Sequence, residues 1–136
     1  MVDRLGGERA AGPRLRDWGW QGMRYRTYAC DKPPKSGFTR AEVNVHQFAT
    51  AQDAREAADF FGDARASGTS LMVEKGGAVL GDYAVVVAGP VQDGKEFTLY
   101  IADGSRLIRV TGVSTSGIPF IDVRQIALDT LGNQPR

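Results

Sequence analysis

The chain holds one histidine, His46, and one cysteine, Cys30. Covalent hydrolysis needs a nucleophile within reach of a base. A Cys30–His46 pair is the one such combination the sequence offers, and it requires the strands that carry the two residues to be neighbours. No other nucleophile is locally paired with His46, which reads as a solvated or hydrogen-bonded side chain. A single Cys and a single His rule out zinc-ligand spacing, and a lone Cys excludes an intrachain disulfide. Asp82, Asp93 and Asp103 sit at separate turns, not in one calcium-binding loop. The GGERAAG run at residues 6–12 lacks the Gly-Lys-Ser/Thr ending of a phosphate loop. No cofactor and no metal are implied, and the pattern argues against most enzymes.

Aromatic and apolar residues are better represented. Trp18 and Trp20 alternate across Gly19, with Tyr25 and Tyr28 close behind. They fit either the core or an aromatic surface for a glycan or peptide.

The elements that would position these residues centre on 81–113, GDYAVVVAGPVQDGKEFTLYIADGSRLIRVTGV. Residues 85–87, 97–101 and 107–111 are rich in β-branched and aromatic side chains. Asp93-Gly94 and Asp103-Gly104 lie between them as hairpin turns. With Asp103 and Gly104 central, Ile101 faces Arg106, Leu99 faces Ile108, Phe97 faces Val110 and Thr98 faces Arg109. The same logic at Asp93-Gly94 sets Leu99 opposite Ala88 and Ile101 opposite Val86. Phe97, Leu99, Ile108 and Val110 then form a core face. Val85, Val87, Tyr100 and Leu107 share the second face, which is too apolar to be left in water. With Trp18 and Trp20 nearby, those four are the candidate ligand or partner face.

Upstream, 22–29 and 39–48 alternate with period two and read as an antiparallel strand pair joined by the DKPPKSG loop. Thr50-Ala51-Gln52-Asp53 is close to a capping box. Ala54, Ala57, Ala58, Phe61 and Ala64 follow helical spacing until Ala66-Ser67-Gly68 ends the run. A short strand at 71–74 leads through a glycine-rich connection into the meander. Pro119 opens a second helix with Phe120, Val123, Ile126, Ala127 and Leu131 on one stripe, stopped by Gly132-Asn133. The order ββα(β)βββα predicts an α+β domain: an antiparallel sheet with a central three-stranded meander and both helices on its core face.

At 136 residues the chain is one domain by length. Residues 1–17 read as a flexible basic arm, 18–133 as the domain and 134–136 as a free tail. Residues 1–40 carry nine Arg or Lys and four Asp or Glu, against eight and twelve in the remainder. The basic arm is too sparse and too poor in aromatics for the stripe of a nucleic-acid binder. No apolar run is long enough for a transmembrane helix, and the N-terminus lacks the apolar region of a secretory signal.

The strand pair, the Ala-rich helix, the Gly81-Asp82-Tyr83-Ala84 junction, the meander ending LYIADGSRLIRVTGV and the closing helix resemble small bacterial extracytoplasmic α+β domains. Relatives of that kind are the PsbP/Mog1-like fold, LpqN-type lipoproteins and the sensor domains of membrane-bound kinases. The resemblance spans roughly residues 18–131 and implies a domain outside the cytoplasm that binds a ligand or partner without catalysis. The chain departs from it in lacking a signal sequence and a disulfide pair. The expected function is a non-enzymatic, sensor-type binding domain for a small ligand or a protein. The alternative is an assembly subunit that self-associates into a homo-oligomer through the second sheet face or the N-terminal arm.

Overall fold

In the computed structural model, residues 16–29, 38–76, 80–92, 94–114 and 120–132 are described. Cys30, Asp93, Pro119, the arm through residue 15, the 31–37 loop and the 134–136 tail lie outside them. For 23–29, 38–41, 114, 120–123 and 125–126 the backbone alone is described.

The class is α+β, and the element order is the predicted one: β1 (Gly22–Ala29), β2 (Phe38–Gln47), α1 (Ala51–Ala66), β3 (Met72–Lys75), β4 (Tyr83–Val91), β5 (Gly94–Asp103), β6 (Arg106–Ser114) and α2 (Phe120–Gly132). The six strands form one sheet in the order β1-β2-β6-β5-β4-β3, every neighbouring pair antiparallel. The β1–β2 pair therefore joins the meander through β2 and β6. The capping box at Thr50 is complete: its Oγ1 accepts from the Asp53 N–H, and the Asp53 carboxylate accepts from the Thr50 N–H.

Both hairpin registers differ from the expected ones by two residues. Asp103 pairs with Arg106, so the central residues of that turn are Gly104 and Ser105. Val91 pairs with Gly94, so Gly94 lies in the strand and not at the centre of the other turn. Thr98 consequently faces Thr111, and Arg109 faces Tyr100. Side chains alternate with period two, so a two-residue slip keeps every residue on its predicted face.

The helices do not share a face. Ala54, Ala57, Ala58 and Phe61 of α1 pack with Val85, Val87, Tyr100, Ala102 and Leu107. Ala127 and Leu131 of α2 pack with Val43, Ala84, Val86, Leu99, Ile101, Ile108 and Val110 on the opposite side. Both faces of β4–β6 are apolar, and leaving a Val, Leu or Ile in water forgoes roughly 1.5–3 kcal/mol apiece. Two or three wet side chains would offset much of a domain's net stability. One face is thus roofed by each helix. The connectivity supplies the first roof directly. β2 and β3 run the same way at different places in the sheet, so the chain must travel back between them, and α1 makes that return across the second face.

Candidate functional site

Trp18, Val85, Val87, Tyr100 and Leu107, five of the six candidate residues, are buried, and Trp20 is half-buried. Their cover is the chain itself. Phe48, Phe61 and the α1 alanines fill the space above Val85, Val87 and Leu107. Trp18 is a core plug: its ring meets Phe48, Phe60 and Phe61 edge-on at 5.6–6.0 Å, and its Nε1–H donates to Glu56 of α1 at 3.2 Å. An open apolar face is therefore not what the structure presents at these positions.

The same sheet face continues sideways onto β6 and β2, and there it becomes polar. Register lays it out in rungs. Glu42 pairs with Thr111, which pairs with Thr98; Asn44 pairs with Arg109, which pairs with Tyr100; His46 pairs with Leu107. Asn44, His46, Glu96, Thr98, Arg109 and Thr111 are all buried. Residue by residue, the sequence reads Glu42, Asn44 and His46 as a wet strand face. Only the β2–β6 pairing, which joins residues more than sixty positions apart, turns that face inward beside α1.

One half of this strip is closed on itself. Arg65, from the last turn of α1, grips Glu96 through two bonds, Nε to Oε2 at 3.0 Å and Nη2 to Oε1 at 2.6 Å. Thr98 Oγ1 donates to Glu96 at 3.0 Å, so the 3.0 Å contact between the two hydroxyls has Thr111 donating to Thr98. Both hydroxyl protons in that chain have an acceptor.

The other half is not closed. Arg109 reaches Glu42 through Nη1 to Oε1 at 3.3 Å, and it pairs with Tyr100 on the neighbouring strand. Its Nε–H has no acceptor among the described residues. His46 accepts at Nδ1 from the Trp20 indole N–H at 3.1 Å. Indole nitrogen donates only, so the imidazole proton sits on Nε2. That Nε2–H is also without an acceptor among the described residues. Burial, reinforced by the positive charge of Arg109, lowers the His46 pKa from 6.5 to about 4, so the ring is neutral near pH 7. His46 is 1% exposed and Arg109 9%. Their positions are diagonal on neighbouring strands.

As a base, His46 is poorly placed: its one lone pair is engaged by Trp20. Cys30 lies outside the described residues. No group of three or more His, Cys, Asp or Glu among the described residues is placed to hold a metal ion. No described helix is long and apolar enough to cross a membrane.

No protein-family model matches the chain, and no curated protein matches it. Among solved structures it is similar to the extracellular domain of PknH from Mycobacterium tuberculosis, with 9% sequence identity, 98% of this chain and 97% of that chain covered, and a TM-score of 0.42.

Proposed function

We propose that this chain is a non-enzymatic binding domain for a small ligand or a protein partner, and that recognition uses the polar strip of β2 and β6 beside α1. The observation that supports this reading is the pair of buried N–H donors, His46 Nε2 and Arg109 Nε, without acceptors among the described residues. A buried donor left unsatisfied costs about 1–3 kcal/mol. Two on adjacent strands, on one face, form a local debt that an occupant with acceptor oxygens removes. Of the six candidate residues, Trp20, Tyr100 and Leu107 adjoin this strip. Trp20 meets it through its hydrogen bond to His46, Tyr100 through its pairing with Arg109, and Leu107 through its pairing with His46.

Native mass spectrometry of gently purified protein tests the reading and counts subunits in the same spectrum. The expected result is a wild-type chain carrying a non-covalent mass that is released on denaturation and absent from Arg109→Met. Wild-type protein flying at its bare mass, indistinguishable from the variant, would remove the support for a binding role.

A further inference from the structure

We propose that His46 and Arg109 form a two-donor site for the carbonyl oxygen of a neutral small ligand, an amide or a ketone, entered when Trp20 swings aside. This rests on the binding reading above and names the class of ligand.

The donors argue for an oxygen acceptor. His46 Nε2–H and Arg109 Nε–H are both buried, lie on the same sheet face, and lack acceptors among the described residues; the side-chain oxygen of Asn44, which pairs with Arg109 across the strands, is a buried acceptor on that face. A carbonyl oxygen has two lone pairs, so one atom can take both bonds. Charge argues that the ligand is neutral. Arg109 already faces Glu42, Arg65 is fully engaged by Glu96, and His46 carries no charge in this environment. An anion would leave a net negative charge in a buried place, which is expensive without a counter-charge. A neutral acceptor satisfies the donors and leaves the existing pairs intact.

Access argues for Trp20. The two donor atoms are sealed from solvent, so an occupant has to move something. Trp20 is half-buried, sits over His46 with ring centroids 6.3 Å apart, and is latched by its hydrogen bond to Nδ1. It is bracketed by Gly19 at φ 63° and Gly22 at φ 139°. Backbone of that kind belongs to glycine, and loop positions of this type are where hinge motion is absorbed. A Cβ at Gly22 would meet nothing within 4 Å, whereas one at Gly19 would lie 2.6 Å from Ala49 Cβ, so the packing is tight at Gly19 and open at Gly22, the first residue of β1.

The test uses the full chain labelled with nitrogen-15, titrated at pH 7 and constant ionic strength with N-methylacetamide and, separately, with sodium acetate. The readouts are the Arg109 Nε–H and Trp20 Nε1–H resonances. The expected result is saturable movement of both with the amide, with a dissociation constant of millimolar order for so small a probe, and no saturable movement with acetate. Trp20→Phe, which removes the latch and keeps the ring, should bind the amide a few-fold tighter. Arg109→Lys should bind it at least tenfold more weakly. Saturation by acetate at lower concentration than the amide overturns the neutral-ligand assignment. Absence of saturation by either probe overturns the two-donor site itself. In both cases a retained mass in the native spectrum would still stand for the binding reading, so the two failures are distinct.

Discussion

His46 shows how far one side chain's meaning depends on its neighbours. In sequence it is the polar member of an alternating strand. In the fold it is shut away by a strand pairing that no local pattern encodes, and it stays neutral to about pH 4 against 6.5 for the free side chain. Between those values the unfolded chain binds a proton that the folded chain refuses. The unfolded state therefore holds more protons, and stability falls as pH is lowered through that window. The full difference corresponds to roughly 3 kcal/mol. Urea midpoints measured from pH 7 to pH 4 should drop more steeply for the wild type than for His46→Gln, which keeps an N–H donor but does not titrate in this range. Parallel curves would contradict a buried neutral imidazole. Glu96 is the complementary case. Its side chain is 6% exposed, and its charge is held by Arg65. Arg65→Ala would strand a buried carboxylate and should cost about 3 kcal/mol in chemical denaturation. A loss below about 1 kcal/mol, the range of surface pairs, would mean that water reaches Glu96.

At the scale of elements, local chemistry was legible wherever it is local. The Thr50–Asp53 capping box, the alanine stripe of α1 and the end of the helix near Gly68 follow from residues within a few positions of one another. The two hairpins were also legible, yet each slipped by two residues, because Asp-Gly marks a turn without fixing which residues are central. Gly62 carries a consequence that only packing reveals. It faces the sheet in the middle of α1, and a Cβ there would lie 2.6 Å from Val85 Cγ1. In an exposed helix Gly→Ala gains about 1 kcal/mol; here overpacking of about 1–3 kcal/mol opposes it. Gly62→Ala should therefore lower stability, by about 1 kcal/mol net. In a Val85→Ala background Gly62→Ala should cost less, with a coupling of at least about 0.5 kcal/mol in the double-mutant cycle. Strict additivity would mean that the helix stands further from the sheet than described.

For the molecule as a whole, the sequence showed two apolar sheet faces but not which element covers each. Placing both helices on the other side leaves Val85, Val87, Tyr100 and Leu107 uncovered. The path of the chain decides otherwise: after β2 it must cross the sheet to reach β3 at the far edge, and α1 makes that crossing with its apolar stripe inward. That gives α1 a definite thermodynamic status. It buries Ala54, Ala57, Ala58 and Phe61 completely, against four sheet residues that are themselves 0% exposed. A helix held this way is part of the cooperative core and does not act as a lid. In native-state hydrogen exchange, the amides at 57–61 should open with the same free energy, within about 1 kcal/mol, as those at 99–101 in β5. The amide of Gln21, tied to the Gln47 carbonyl at 2.8 Å beside Trp20, should open more cheaply than either. If instead α1 exchanged several kcal/mol below β5, the helix would lift as a unit. The face of Val85, Val87, Tyr100 and Leu107 would then return as the docking surface, and the polar strip would lose its priority.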